Sequence, residues 1–208
     1  ASQKKPKGRK TRTGSDEKAT GGEDSPKAPS PPPKQYPLYA GPRPDEELLE
    51  AVRIEASVGD DASVEAIYEL LRSGEDVNQR SSNGYTPLAV AAAAGNGPLV
   101  SILLERRADV GLATIHRAEL PIHYAARSGN GTVLQLLAEE CRSRGRGIVD
   151  APNLTGWPPL HLAAAGGHLQ AIAILVRNGA NPQSRNNLQG GHTALHVAVR
   201  LGYRDVAE

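Results

Sequence analysis

Four segments of this 208-residue chain lie over one another in register: residues 85–96 (YTPLAVAAAAGN), 119–130 (ELPIHYAARSGN), 157–168 (WPPLHLAAAGGH) and 192–203 (HTALHVAVRLGY). The apolar anchors of the box, Leu88, Ile122, Leu160 and Leu195, are 34, 38 and 35 residues apart. A period of that length means a stack of similar supersecondary units. No unit buries its apolar face alone, and each is stable against its neighbours.

Each box reads as a short helix followed by a second one. In three of the four, Pro87, Pro121 and Pro159 open the first helix where a missing N–H costs little. A small pair follows, and a glycine (Gly95, Gly129, Gly167, Gly202) supplies the backbone freedom that ends the helix. The second helix is apolar at helical spacing, as in LVSILL from Leu99, VLQLL from Val133 and AIAILV from Ala171.

An atypical first unit is visible in ELLEAV and VEAIYELLRSGEDVN, with extra residues around RIEASVGDD that lengthen its first helix or the following turn. Unit three carries a surplus near CRSRGRG, a basic bulge with Arg142, Arg144 and Arg146 that reads as a solvated loop or a contact site. Val206 falls in register with Leu99, so the sequence stops as a second helix begins. A chain continuing beyond Glu208 is therefore expected.

With the boxes, glycines and second helices in phase, residues 45–208 resemble the ankyrin-repeat family. The resemblance implies an all-α solenoid of antiparallel helix pairs joined by β-hairpin or loop fingers. The units fall near 45–80, 81–114, 115–152, 153–187 and 188–208, the last incomplete. Three departures stand out: Pro158 replaces the usual Thr, Ala194 replaces the box proline, and GLATIHRAEL lacks the usual Gly before its box. Distorted second and fourth fingers are expected.

Residues 1–44 differ in kind. They hold 10 Lys/Arg against 4 Asp/Glu and 9 of the 16 prolines, whereas the rest holds 14 against 19. With almost no aliphatic residues, this tail is expected to be disordered. Lys4, Lys5, Lys7, Arg9, Lys10 and Arg12 run without an acidic residue. That run reads as a solvated terminus, a short import signal or a contact for RNA or another polyanion.

Chemistry has little to stand on. The single cysteine, Cys141, precludes an intrachain disulfide and a multi-cysteine zinc site, and the apolar runs are too short to span a bilayer. An intracellular protein, cytoplasmic or nuclear, without membrane insertion is expected. His123, His161 and His196 recur at one box position, which the resemblance makes structural, the imidazole bonding to backbone between repeats. No nucleophile with its base and no phosphate loop is present, so neither enzyme activity, cofactor nor metal is expected.

Binding is left. In the family, partners lie along the concave face of fingers and first helices, which here implicates Arg80, Ser82, Asn83, Tyr85, Glu119, Arg127, Ser128, Leu154, Trp157, Arg185, His192 and Arg200. Tyr, Trp and Arg are the types enriched at binding hot spots. The expectation is a non-catalytic protein-recruiting scaffold. Its rivals are a structural subunit of a large ribonucleoprotein assembly whose tail contacts RNA, and an ankyrin regulator of transcription factors.

Overall fold

A computed structural model describes residues 47–58, 61–186 and 190–207. The described chain is a row of helix pairs: α1 (Glu47–Val58) with α2 (Asp61–Ser73), α3 (Pro87–Ala94) with α4 (Gly97–Glu105), α5 (Pro121–Ser128) with α6 (Gly131–Arg144), α7 (Pro159–Ala165) with α8 (Leu169–Arg177), and α9 (Ala194–Leu201) with α10 (Arg204–Ala207). The first helices pack side by side as α1, α3, α5, α7 and α9. The second helices α4, α6 and α8 form a parallel row behind them.

Both neighbours cover the first helices of the middle units, so these are buried almost all round: Leu88, Ile122 and Leu160 are 1–2 % exposed. Leu195, at the same register in α9, is 51 % exposed because no described helix packs on its outer side. Buried Ala91–Ala92, Ala125–Ala126 and Ala163–Ala164 keep the rows close, since no side chain beyond a methyl separates the backbones.

The predicted stops are where the glycines stand. Gly95, Gly129 and Gly202 cap α3, α5 and α9 in the left-handed conformation, and Gly167 adopts it one residue past the Gly166 cap of α7. The long first unit is absorbed by α1, twelve residues against eight in α3. The surplus of the third is mostly helix rather than loop: α6 runs fourteen residues to Arg144, and a 3-10 turn follows at Arg146–Ile148.

The fingers are loops with little of the β-hairpin about them. Each is closed by the N–H of its first residue, Ser81 N to Tyr85 O (2.9 Å), Thr114 N to Glu119 O (3.0 Å), Asn153 N to Trp157 O (3.1 Å) and Asn186 N to His192 O (2.8 Å), and the carbonyl of that residue accepts Gly84, Ala118, Gly156 or Gly191 N–H in turn. Among the described residues, only Asn186 and His192 form an antiparallel bridge. The loops spend their remaining polar groups on one another. The tips of fingers two and three each donate to the finger before, Ile115 N to Asn83 O (3.1 Å) and Leu154 N to Arg117 O (2.8 Å).

Candidate partner-binding face

The closing residue of every finger is small, polar and buried: Ser81, Thr114, Asn153 and Asn186. Three of their side chains also accept from the finger's return strand of backbone. Ser81 Oγ takes Tyr85 N–H (3.0 Å), Thr114 Oγ1 takes Glu119 N–H (3.2 Å), and Asn153 Oδ1 takes Trp157 N–H (2.9 Å). These local side-chain bonds hold the loops in shape without a ladder.

Finger two keeps that shape although it lacks the expected glycine. Ala118 adopts φ +48° where Gly84, Gly156 and Gly191 adopt +77°, +76° and +67°. The expected distortion is therefore stored as backbone strain at one alanine. Finger four still pairs Asn186 with His192, while residues 187–189 lie outside the described residues.

Of the recurrent histidines, His161 bonds the next finger, and His123 and His196 bond the start of their own helices. His123 Nδ1 accepts Leu120 N–H (3.0 Å), which leaves Nε2 as the protonated nitrogen, set against the backbone of Ala151 and Trp157. His161 Nε2 bonds His192 O (2.9 Å), and His196 Nδ1 meets Thr193 Oγ1 (2.7 Å) at the start of α9. Burial pushes His123 down to about 4 and lowers His161 as well, so both are neutral at neutral pH.

Glu119, expected on the partner-facing surface, is wholly buried. Its carboxylate accepts both terminal nitrogens of Arg127, one at 3.1 Å, and Asn153 Nδ2 at 3.2 Å, so it clamps finger two to finger three. Burial alone would raise its pKa. The hydrogen bond and charge of Arg127, with His123 and Asn153 adding, reverse that and hold it below the usual carboxylate range. Arg127 is consequently mostly buried, its side chain 14 % exposed. It lies 5.8 Å over the Tyr124 ring, which meets Tyr85 at 5.8 Å.

The other expected contacts divide. Arg80, Ser82, Ser128, Leu154, Arg185 and Arg200 are exposed, whereas Asn83, Tyr85, Trp157 and His192 are half-buried. Tyr85 and Trp157 pack on the core, and Trp157 sets an edge against His161 at 6.1 Å. Asn83 Oδ1 meets His116 Nε2 at 3.1 Å, and the His192 ring lies 5.8 Å from His196. Ile115, 61 % exposed, was not singled out from the sequence. It stands one residue after the closing position, as Ser82 and Leu154 do, and that register is the signal that finds it.

Between fingers three and four lies an open cleft of about 430 Å³ bordered by Pro152, Gly156, Ser184 and Arg185. Among the described residues, no group of three or more His, Cys, Asp or Glu is placed to hold a metal ion, and no helix is long and apolar enough to cross a membrane. Cys141 is buried, and desolvation pushes its thiol up to about 12, so it is no nucleophile at neutral pH. Lys4, Lys5, Lys7, Arg9, Lys10 and Arg12 lie outside the described residues.

The family model for ankyrin repeats in three copies matches residues 54–145 and 122–208. The chain belongs to the ankyrin-repeat family. Residues of this ankyrin chain are 32 % identical over 152 positions to the phosphocholine transferase AnkX of Legionella pneumophila, covering 73 % of this chain and 15 % of that one. The mitochondrial disaggregase of Bos taurus is 29 % identical over 154 positions, 74 % of this chain and 21 % of its own. Neurogenic locus notch homolog protein 1 of Mus musculus is 32 % identical over 123 positions, 59 % and 5 %. The ankyrin chain thus spans a quarter or less of these relatives. Ankyrin repeats as a class mediate protein–protein interaction.

Proposed function

We propose that the ankyrin stack is a non-catalytic scaffold that recruits a partner protein along its fingers and first helices. The observation that carries this reading is apolar surface held out on rigid loops. Ile115 and Leu154 are 61 % and 59 % exposed at fingertips whose backbones are bonded to the preceding finger. Apolar side chains displayed on a preformed surface lose little entropy when a partner covers them.

The relatives support the division of labour. A transferase, a disaggregase and notch share with this chain only a minor part of their length, so the common part is the repeat stack itself.

Photo-crosslinking residues placed at Ser82 and Leu154, on the fingers, and at Glu139 and Val176, on the second helices, test the reading. Partner protein is expected at the first two positions. Crosslinks confined to Glu139 and Val176 would move recruitment to the opposite side and end this proposal.

A further inference from the structure

The fingers and first helices are charged differently from the rest of the stack. Residues 79–94, 111–128, 151–166 and 182–202 contain five arginines, Arg80, Arg117, Arg127, Arg185 and Arg200, and one acidic residue, Glu119. That one is buried against Arg127, so within these stretches no carboxylate faces solvent among the described residues; Asp150, one residue before the third stretch, borders the cleft beside Arg185 and accepts Asn181 N–H (3.0 Å). Yet residues 45–208 as a whole carry more acid than base. The acids stand elsewhere, on the second helices (Glu69, Glu105, Glu139, Glu140) and in the turns after them (Asp109, Asp150). The cationic stretch begins at finger one, since α1 before it carries Glu50 and Glu55.

Three of these arginines are exposed and, among the described residues, have no carboxylate within ion-pair distance: Arg80, Arg185 and Arg200. Two are already positioned. Arg80 donates to Ala113 O in the next finger, and Arg185 Nη1 donates to Gly191 O at 3.0 Å. A guanidinium has five N–H donors, so one bond to a carbonyl fixes its place and leaves donors for a carboxylate.

We propose that the finger face takes an extended acidic protein segment with apolar residues interspersed, its carboxylates meeting Arg80, Arg185 and Arg200 and its apolar side chains meeting Ile115 and Leu154. This rests on the recruiting role proposed above and adds the chemistry of the partner. A nucleic acid fits less well. Its phosphates would use the arginines, but the two exposed aliphatic tips match peptide side chains, and the exposed cations are spread over fingers one and four and α9 rather than run together.

Displayed random peptides of about 15 residues, long enough at about 3.3 Å per residue to cross several fingers, are the probe, selected on the full chain. A uridine oligonucleotide is measured beside them. The selected pool is expected to be rich in Asp and Glu together with Leu, Ile or Val, and its binding to weaken with added salt. Arg80→Glu/Arg185→Glu/Arg200→Glu should weaken it by about tenfold or more. The equal charge change in Arg142→Glu/Arg177→Glu/Arg204→Glu, on the second-helix side, should leave it within about twofold, because only charges near the bound segment are felt. All six side chains are exposed, and an unchanged unfolding midpoint confirms that both variants fold.

A neutral or basic pool that still crosslinks through Leu154 would overturn the acidic chemistry and leave recruitment standing. Equal losses in both triple variants would place the contact outside the finger face and overturn the inference. Binding of the oligonucleotide at the fingers in place of any peptide, or binding of neither, would overturn both readings.

Discussion

Ala118 sits in the left-handed region at φ +48°, a conformation that costs a residue with a Cβ roughly 1–2 kcal/mol. Ala118→Gly relieves that strain but gives the unfolded chain more freedom, worth about 0.4–1 kcal/mol in the other direction. The variant is expected to be more stable by about 0.5–1 kcal/mol, read as a higher denaturant midpoint at unchanged slope. A midpoint at or below the parent's would show that finger two is not strained there.

Pro158 makes the complementary case. In α5 and α9 the residue before the helix donates its N–H to the histidine, Leu120 to His123 and Thr193 to His196. A proline has no such proton, and His161 Nδ1 is buried with no hydrogen-bond partner among the described residues. Pro158→Thr restores the donor and adds a hydroxyl that caps as Thr86 does toward Ala89 N–H (3.2 Å). Allowing for the lost rigidity of proline, the gain is expected to be about 1 kcal/mol. Thermal unfolding measures it. The His161 Nδ1 nitrogen shift should also move as it gains a bond, and no movement would mean the ring was already satisfied.

At the scale of helices and fingers, the units are fastened by one side chain that serves two of them. Asn130 Oδ1 caps α6 through Val133 N–H (3.1 Å), while its Nδ2 donates to Gly95 O (2.9 Å) at the end of α3. His168 repeats the second bond, Nε2 to Arg127 O (3.0 Å), and Asn96 reaches Glu55 Oε1 (3.3 Å). Asn130→Ala removes a cap and an inter-repeat bond together and is expected to cost about 2 kcal/mol, against about 1 for a cap alone. Asn130→Ser, which keeps the cap and is too short to reach Gly95, should recover about half in the same unfolding measurement.

That bond marks what the sequence allowed one to read. The boxes, prolines and glycines give the helix starts and stops because those rules are local, and they held at Pro87, Gly95 and Gly129. The inward turn of Glu119 depends on Arg127 eight residues on and Asn153 thirty-four residues on, and no local rule reports such a contact. Ile115 was legible through register and passed over. The finger geometry at Ala118 contradicts the residue's own preference, so no reading of propensity would find it.

For the whole stack, the groups that titrate below neutrality lie at the seams between units, so acid should act on the stacking itself. His123 sits in α5 with Glu119 and Arg127 beside it and, against its ring, the backbone of Ala151 and that of Trp157 from the next unit. His161 in α7 reaches His192 O of the unit after that, with Asp150 as its nearby charge. Both are depressed when folded. For His123, from 6.5 down to about 4, the unfolded chain between those values binds a proton that the folded one refuses. Its contribution is full above pH 6.5 and is lost as pH falls toward 4, about 2 kcal/mol of it between pH 7 and pH 5. His161 adds a loss of the same sign, starting from the same unfolded value. Glu119, also depressed, keeps its contribution above about 4.5 and loses it only below that. Stability should therefore fall steadily from pH 6.5 to pH 4.5 on the histidines and further below on Glu119. His123→Gln should start less stable at pH 7 and lose less between pH 7 and pH 5 than the parent, in denaturant titrations at each pH. An unchanged slope in that variant would mean that His123 carries a proton in the folded stack, and that the seam between units three and four does not sense acid.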